Sequence, residues 1–180
     1  KTAYEIRNCD WSSDVCSSDL IAWRLYQRTG GKTFLRDSYS DLKRFVFSWF
    51  HGRHDRDGDG APEWTDEVQS GFPDSPIFAR WGDWGSSIDP STVESPDLLS
   101  YLTLELEALS RLAQALGRSE DRAEIEPRLA GLRSALDRCW DEERGGYFPV
   151  DRDQHVSQSG RRLSRGRGAF TRKPRPRFEP

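Results

Sequence analysis

The chain has 180 residues, a formal net charge of −3 and 32% charged residues. Its seven tryptophans exclude an intrinsically disordered composition, in which aromatic side chains are scarce. No apolar run approaches the roughly 18 residues that a membrane-spanning helix needs, so no membrane partner is predicted.

Residues 1–20 resemble the translation of a short-read sequencing adapter. The run 10–20 matches one part of such an adapter, and residues 1–6 match its flow-cell end in the same frame and order. We therefore expect residues 1–20 to be an artefact that does not belong to the fold. Without them only Cys139 remains, so no disulfide framework is predicted and the compartment stays open.

Two helices are predicted at the start of the remaining chain. Residues 21–28 have the character of a helix end, and Gly30 and Gly31 terminate that helix. Between residues 33 and 51, apolar residues recur at alternating steps of four and three, which indicates one stripe of an α-helix. The stripe consists of Leu35, Tyr39, Leu42, Val46 and Trp49.

Residues 52–96 form a long loop that is rich in Gly, Pro, Asp, Ser and Trp. Loops of this length are uncommon in compact domains and are usually functional when ordered. Ten carboxylates occur between positions 55 and 94, and Trp64, Trp81 and Trp84 are interleaved with them. Indole rings stack on sugars, and carboxylates bind hydroxyls or do acid–base chemistry, so the pattern favours a carbohydrate site. A solvated acidic loop, with tryptophans that pack in the core, is the alternative.

One part of this loop has the spacing of a calcium-binding loop. Asp55, Asp57, Asp59 and Gly60 reproduce the D-x-D-x-D-G pattern, and Glu63 falls at position nine. Positions eight and twelve depart from the EF-hand pattern. We expect no required cofactor, with calcium as the candidate ion at Asp55, Asp57, Asp59 and Glu63. The alternatives are a turn whose Asp side chains bond their own backbone, and direct substrate contact without a metal.

Apolar periodicity returns at residue 95 and predicts two more helices. The first has two neighbouring apolar faces, so we expect it to lie between other elements. One face consists of Leu99, Leu102, Leu106, Leu109, Ala113 and Leu116, and the other of Leu98, Tyr101, Leu104, Ala108, Leu112 and Ala115. Gly117 is predicted to cap its end, and Ser119 to cap the start of the next helix.

The last helix has a single apolar stripe of Ile125, Leu129, Leu132, Leu136 and Cys139. Pro127 either lies in an early turn of this helix or restarts it at Arg128. Residues 147–150 are a short strand candidate. The order of elements predicts an all-α fold: an incomplete (α/α)6 toroid of helical hairpins, with a long functional loop and a short β segment at the C-terminal end. An ordinary helical bundle is the alternative.

Residues 21–150 are predicted to form the domain, and residues 151–180 a truncated loop or strand continuation. The latter carry nine Lys and Arg against three Asp and Glu. Such a basic segment is typical of nucleic-acid binding, but coding bias or a frame shift explains it better, so no nucleic-acid partner is predicted. Because no methionine occurs, we expect the native protein to extend beyond this chain.

Three segments in order resemble six-hairpin glycosidases: DRDGDGAPEW at 55–64, QSGFPDSP at 69–76 and TVESP at 92–96. The likeness is to glycoside hydrolase family 63, amylo-α-1,6-glucosidases and mannosylglycerate-hydrolase-like proteins. It implies an (α/α)6 barrel and inverting hydrolysis of α-linked glucosides or mannosides, with a carbohydrate as substrate.

In the family's pattern the general acid stands where this chain has Pro73, one place before Asp74. The resemblance therefore implies either that Asp74 is the catalytic acid through a local shift, or that the chemistry of this chain is altered. The alternative is that Asp74 is only a turn residue before Pro76. The family's general base is a Glu far towards the C-terminus, and no segment here matches it. We accordingly expect this chain to be an inactive fragment.

A second set of residues is expected to line a sugar pocket: Glu63, Trp64, Gln69, Trp81, Trp84, Asp89 and Glu94. A non-catalytic carbohydrate- or calcium-binding helical module is the alternative function.

Overall fold

The computed structural model describes residues 18–71 and 89–156, in which four α-helices predominate. The helices are α1 (Ser18–Thr29), α2 (Lys32–Ser48), α3 (Pro96–Leu116) and α4 (Ser119–Cys139). Three short 3-10 helices, Gly52–His54, Glu67–Ser70 and Pro90–Thr92, lie in the loop. The strands are β1 (Val93–Glu94), β2 (Trp140–Asp141), β3 (Gly146–Tyr147) and β4 (Val150–Asp151). The mostly helical structure confirms the all-α prediction. No helix of the described residues is long and apolar enough to cross a bilayer.

The first two helices form as the sequence predicts. α1 ends at Thr29, and the next residue, Gly30, has a φ of 66° that glycine adopts without strain. All five residues of the predicted α2 stripe are buried in the core. α1 begins within the segment that resembles an adapter, so residues 18–20 form its first turn. The origin of residues 1–20 stays a prediction.

α3 is the central helix, because it packs against α1, α2 and α4. Its first apolar face is buried from Leu99 to Ala113, as predicted. The prediction for the second face is wrong at two positions: Tyr101 is 36% exposed and Leu104 is 49% exposed. These side chains lie on the sector of the helix that α1, α2 and α4 leave uncovered.

The α3–α4 connection is a tight turn at Gly117, which has a φ of 74°. Its N–H donates to Gln114 O, and the next N–H donates to Ala113 O, so the last carbonyls of α3 are satisfied. The predicted cap at Ser119 is wrong by one residue, because Ser119 is already helical and Arg118 precedes it without a side-chain cap.

Pro127 lies inside the continuous helix α4, so both predicted alternatives for it are wrong. Proline removes one backbone hydrogen bond, the one to the carbonyl four residues earlier. That carbonyl belongs to Ala123, which is exposed, so solvent can satisfy it.

The strand prediction at 147–150 is correct in place but wrong in extent. Gly146–Tyr147 pairs antiparallel with Trp140–Asp141, whereas Val150–Asp151 pairs antiparallel with Val93–Glu94. Pro149 separates the two strands because it has no N–H to donate to a ladder. The β1–β4 pair brings the end of the long loop against the segment that follows α4.

Candidate functional site

The centre of the candidate site is the acidic turn, residues 55–60. Asp57 Oδ1 accepts the N–H of Asp59 at 3.3 Å, and Asp59 Oδ1 accepts the N–H of Ala61 at 2.7 Å. Gly58 and Gly60 have φ values of 74° and 83°, which other residues adopt only with strain. The Asp side chains therefore close the turn on its own backbone, as one of the three sequence alternatives requires.

Two carboxyl groups of this region point into the protein. Asp55 and Glu63 are both buried, and Glu63 Oε2 accepts the N–H of Arg56 at 3.4 Å. Burial raises the pKa of Glu63 to about 8, and burial also raises the pKa of Asp55. Glu63 is therefore mostly protonated at neutral pH, and the exposed charge of the region lies on Asp57 and Asp59.

A charged cluster lies beside the turn and comprises Asp57, Asp59, Glu94, Arg138 and His155. Arg138 Nη2 donates to Asp59 Oδ2 at 3.0 Å and to Glu94 Oε2 at 2.9 Å. His155 Nδ1 lies 2.8 Å from Glu94 Oε1. The guanidinium of Arg138 and the imidazole of His155, which come much later in the sequence than the turn, thus hold the three carboxylates together.

Three elements bring this cluster together. Glu94 is in β1, Arg138 is in the last turn of α4, and His155 follows β4. His155 has a φ of 50°, which is uncommon for a residue with a side chain. Its N–H donates to Asp151 O at 2.8 Å, so the turn after β4 fixes the position of the imidazole.

The charges of the cluster influence one another. The hydrogen bond to Glu94 raises the pKa of His155, which favours the imidazolium form. Burial raises the pKa of Glu94, while the bonds from His155 and Arg138 act in the opposite direction. Arg138 is consequently the permanent cation on which the ionised state of the fully buried Glu94 depends.

The same cluster offers donor atoms to a metal ion. Ligand atoms of Asp57, Asp59 and His155 lie within 4.8 Å of one another. The carboxylate oxygens suit calcium, whereas an imidazole nitrogen suits transition metals better. Of the four predicted ligands, Asp57 and Asp59 lie here, while Asp55 and Glu63 are buried beside them. Two carboxylates supply only part of the six to eight oxygen ligands that calcium takes, so calcium at this turn stays a prediction.

The predicted sugar-binding residues lie in different environments in the structure. Trp64 is fully buried, with its ring 5.7 Å from that of Trp49, and its Nε1 donates to Asp97 Oδ1 at 3.3 Å. The Trp64 ring is therefore enclosed by its neighbours, and its place in a sugar pocket stays a prediction. Glu63 and Glu94 are likewise enclosed in this structure.

Gln69 and Asp89 each stabilise a 3-10 helix. Gln69 Oε1 accepts the N–H groups of Thr65 and Asp66 at 3.0 and 3.2 Å. Asp89 Oδ1 accepts the N–H of Ser91 at 3.0 Å, and Asp89 Oδ2 lies 3.7 Å from Arg56 Nη1. Asp89 is exposed, so its carboxylate remains accessible from solvent. Asp74, Trp81 and Trp84 lie outside the described residues.

Arg138, His155 and Arg152 were missed by the sequence reasoning. Arg152 Nη1 donates to Ser91 O at 2.7 Å, and its backbone N–H donates to Thr92 O at 3.1 Å. Only the β1–β4 register places residues 152 and 155 beside the loop, and the sequence carries no signal of that register.

Comparison with known families identifies a glycoside hydrolase domain. The model of the mannosylglycerate hydrolase MGH1-like glycoside hydrolase domain matches residues 6–172. The matched span includes the acidic turn and the whole charged cluster. No curated protein and no solved structure matches the chain.

Proposed function

The chain belongs to the mannosylglycerate hydrolase MGH1-like glycoside hydrolase domain family, and we propose that it is part of an inverting glycosidase for α-linked glucosides or mannosides. Family membership carries this proposal, since it implies a carbohydrate substrate and hydrolase chemistry. The match extends across the acid-rich loop and the elements on both sides of it. Carboxyl groups of this kind supply the acid and base of glycoside hydrolysis.

For the architecture, we propose that α1–α2 and α3–α4 are two hairpins of an (α/α)6 toroid. The packing of α3 against the other three helices is what an inner helix requires. The exposed Tyr101 and Leu104 would then contact a further hairpin, because uncovered apolar side chains mark contact surfaces.

For the chemistry, we propose that Asp74 is the general acid. Inversion needs a second carboxylate about 6.5–9.5 Å from the acid, with room for a water molecule between them. No segment of the sequence matches the family's base, so we expect the chain to bind sugar without turning it over. The enclosed Glu63 and Glu94 are proposed to shape the loop, because buried groups do not reach a sugar.

The test is Asp74→Asn in the full-length gene product. We expect kcat on α-glucosides or α-mannosides to fall by about 100-fold or more, with KM little changed, because a general acid contributes about 10²–10⁴-fold. Asp37→Asn, an exposed position on α2, is the matched control and should keep full activity. Full activity of Asp74→Asn would remove Asp74 from the mechanism while leaving the family assignment intact.

The second candidate function is a non-catalytic module that binds carbohydrate or calcium. Pro73 at the place of the family's acid favours it, since proline transfers no proton. Calorimetric titration of the chain with calcium and with α-linked oligosaccharides separates the two functions. Binding without hydrolysis by the full-length gene product would support the module, and loss of calcium binding in Asp57→Asn would assign the ion to the acidic turn.

A further inference from the structure

The imidazole of His155 is held between a buried carboxylate and the acidic turn. Its Nδ1 lies 2.8 Å from Oε1 of the fully buried Glu94, and its Nε2 lies 3.9 Å from Asp57 Oδ2. A carboxylate only accepts hydrogen bonds, so Glu94 places the proton of the neutral ring on Nδ1. The lone pair of Nε2 is then left for another partner beside Asp57.

A carboxylate bonded to one ring nitrogen is the usual companion of a histidine that binds a metal ion through the other. Such a carboxylate fixes the tautomer and orientation of the ring and makes the second nitrogen a better ligand. The β1–β4 pair holds the two residues in this relation, because Glu94 pairs with Val150 and the N–H of His155 donates to Asp151 O. The ring is therefore positioned before any ion binds.

The acidic turn supplies two carboxylates to the same place. Ligand atoms of Asp57, Asp59 and His155 lie within 4.8 Å of one another. Asp57 Oδ1 accepts a backbone N–H, whereas Oδ2 is the atom near His155. Bonds of about 2.0–2.2 Å to one ion span donors 3.9 Å apart after a small closing movement, which solvent-accessible side chains allow.

A buried oxygen inside the turn independently points to a ligand. Asp55 is only 9% exposed, and no described residue donates to its Oδ1. The N–H groups of Gly58 and Gly60 bond to this carboxyl, which places it within the turn. Buried polar atoms are almost always satisfied by protein, water or an ion. A cation at the turn would compensate this oxygen.

The charges of the cluster favour a divalent ion. Asp57, Asp59 and Glu94 carry three negative charges when ionised, and Arg138 supplies one positive charge against them. With a neutral imidazole the balance is two negative charges, which one divalent cation cancels.

We propose that Asp57, Asp59 and His155 bind a divalent transition-metal ion of the zinc class, with Glu94 orienting the imidazole from behind. An imidazole nitrogen favours such an ion over calcium, and three protein ligands leave a position for water. The ion joins the acidic turn to the segment after β4. This site differs from the predicted calcium loop by its nitrogen ligand, and it does not depend on the proposed glycosidase activity.

Calorimetric titration of the 180-residue chain with ZnCl₂ at pH 7 tests the site. All samples carry Cys9→Ser and Cys16→Ser, because thiolates outside the cluster also bind zinc. We expect one zinc ion per chain, and binding about 100-fold weaker or worse in His155→Ala, since loss of the carboxylate behind a ligand alone costs about 10–100-fold. His51→Ala, at an exposed histidine outside the cluster, is the matched control and should bind as tightly as the parent chain. Equal binding by His155→Ala, or no binding by the parent chain, would overturn the proposal.

The role of Glu94 is tested by Glu94→Gln, which keeps the size of the side chain. Zinc binding should weaken by about 10–100-fold, because the imidazole loses the carboxylate that orients it. Unchanged affinity in this variant would reject Glu94 as a positioning residue.

Two further measurements separate the site from a calcium loop. Excess CaCl₂ should leave zinc bound, and displacement of zinc by calcium would show that oxygens alone hold the ion. In the chain labelled with ¹⁵N at histidine, zinc should shift the Nε2 resonance that His155→Ala removes, while Nδ1 keeps its proton. A histidine spectrum that zinc leaves unchanged would show that His155 is not a ligand, and the proposal would fail.

Discussion

Replacing Arg138 with alanine tests whether the charged cluster holds the acidic turn in place. The guanidinium joins the end of α4 to Asp59 at 3.0 Å and to Glu94 at 2.9 Å. Without it, the fully buried Glu94 keeps the bond to His155 but loses its bond to a permanent cation. Leaving a buried charge with too few partners destabilises a protein more than the lost bond alone would suggest.

The expected loss of stability in Arg138→Ala follows from the burial of Arg138 and Glu94. A hydrogen bond to a charged group contributes about 1.5–3 kcal/mol, and breaking a fully buried ion pair costs about 3–5 kcal/mol. The Arg138 side chain is 34% exposed, so solvent screening reduces the second figure. We therefore expect Arg138→Ala to lower the free energy of unfolding by about 2 kcal/mol. Glu94→Gln should cost less, because it removes the buried charge and leaves Arg138 paired with Asp59.

Urea unfolding followed by tryptophan fluorescence at pH 7 measures both effects. The matched control is Arg133→Ala, which breaks a pair with Glu107 whose arginine side chain is 56% exposed. Such exposed pairs contribute about 0–1 kcal/mol. If Arg138→Ala is no more destabilising than Arg133→Ala, or if Glu94→Gln is the costlier change, the cluster does not hold the turn as described.

Two further comparisons test the fold. Leu109→Ala, in the fully buried face of α3, should lower the free energy of unfolding by about 2–5 kcal/mol. Leu104→Ala, on the exposed sector, should change it by about 0.5 kcal/mol or less. Equal losses of the two variants in urea unfolding would contradict the packing of α3. Gly60→Ala, at a φ of 83°, should cost about 1–2 kcal/mol. Gly131→Ala, in α4 with no atom within 4 Å of the added carbon, should stabilise by about 0.5–1 kcal/mol, so thermal unfolding should shift the two variants in opposite directions.

The helices were predictable because their periodicity directly reflects burial. The α2 stripe and the Leu99–Ala113 seam follow from apolar spacing alone, and the positive φ of Gly117 follows from its place after the seam. Apolar spacing does not reveal how many neighbours a helix has. Tyr101 and Leu104 were for that reason expected to be buried and are exposed.

The charged cluster was not predictable in the same way. Its carboxylates stand out in the sequence, but Arg138 and His155 reach them only through the α4 position and the β1–β4 register. The environment of Trp64 was not predictable for a different reason: composition does not distinguish an indole that stacks on a sugar from one that packs in a core. In the structure the Trp64 ring packs edge-on against Trp49.

The most direct test of the central claim is the anomeric form of the first product. The full-length gene product would be mixed with an α-linked glucoside or mannoside, and the first product would be followed by ¹H NMR before mutarotation. An inverting glycosidase releases the β-anomer first. Initial release of the α-anomer would contradict inversion, and a folded protein that hydrolyses no α-linked glucoside or mannoside would contradict the proposed activity.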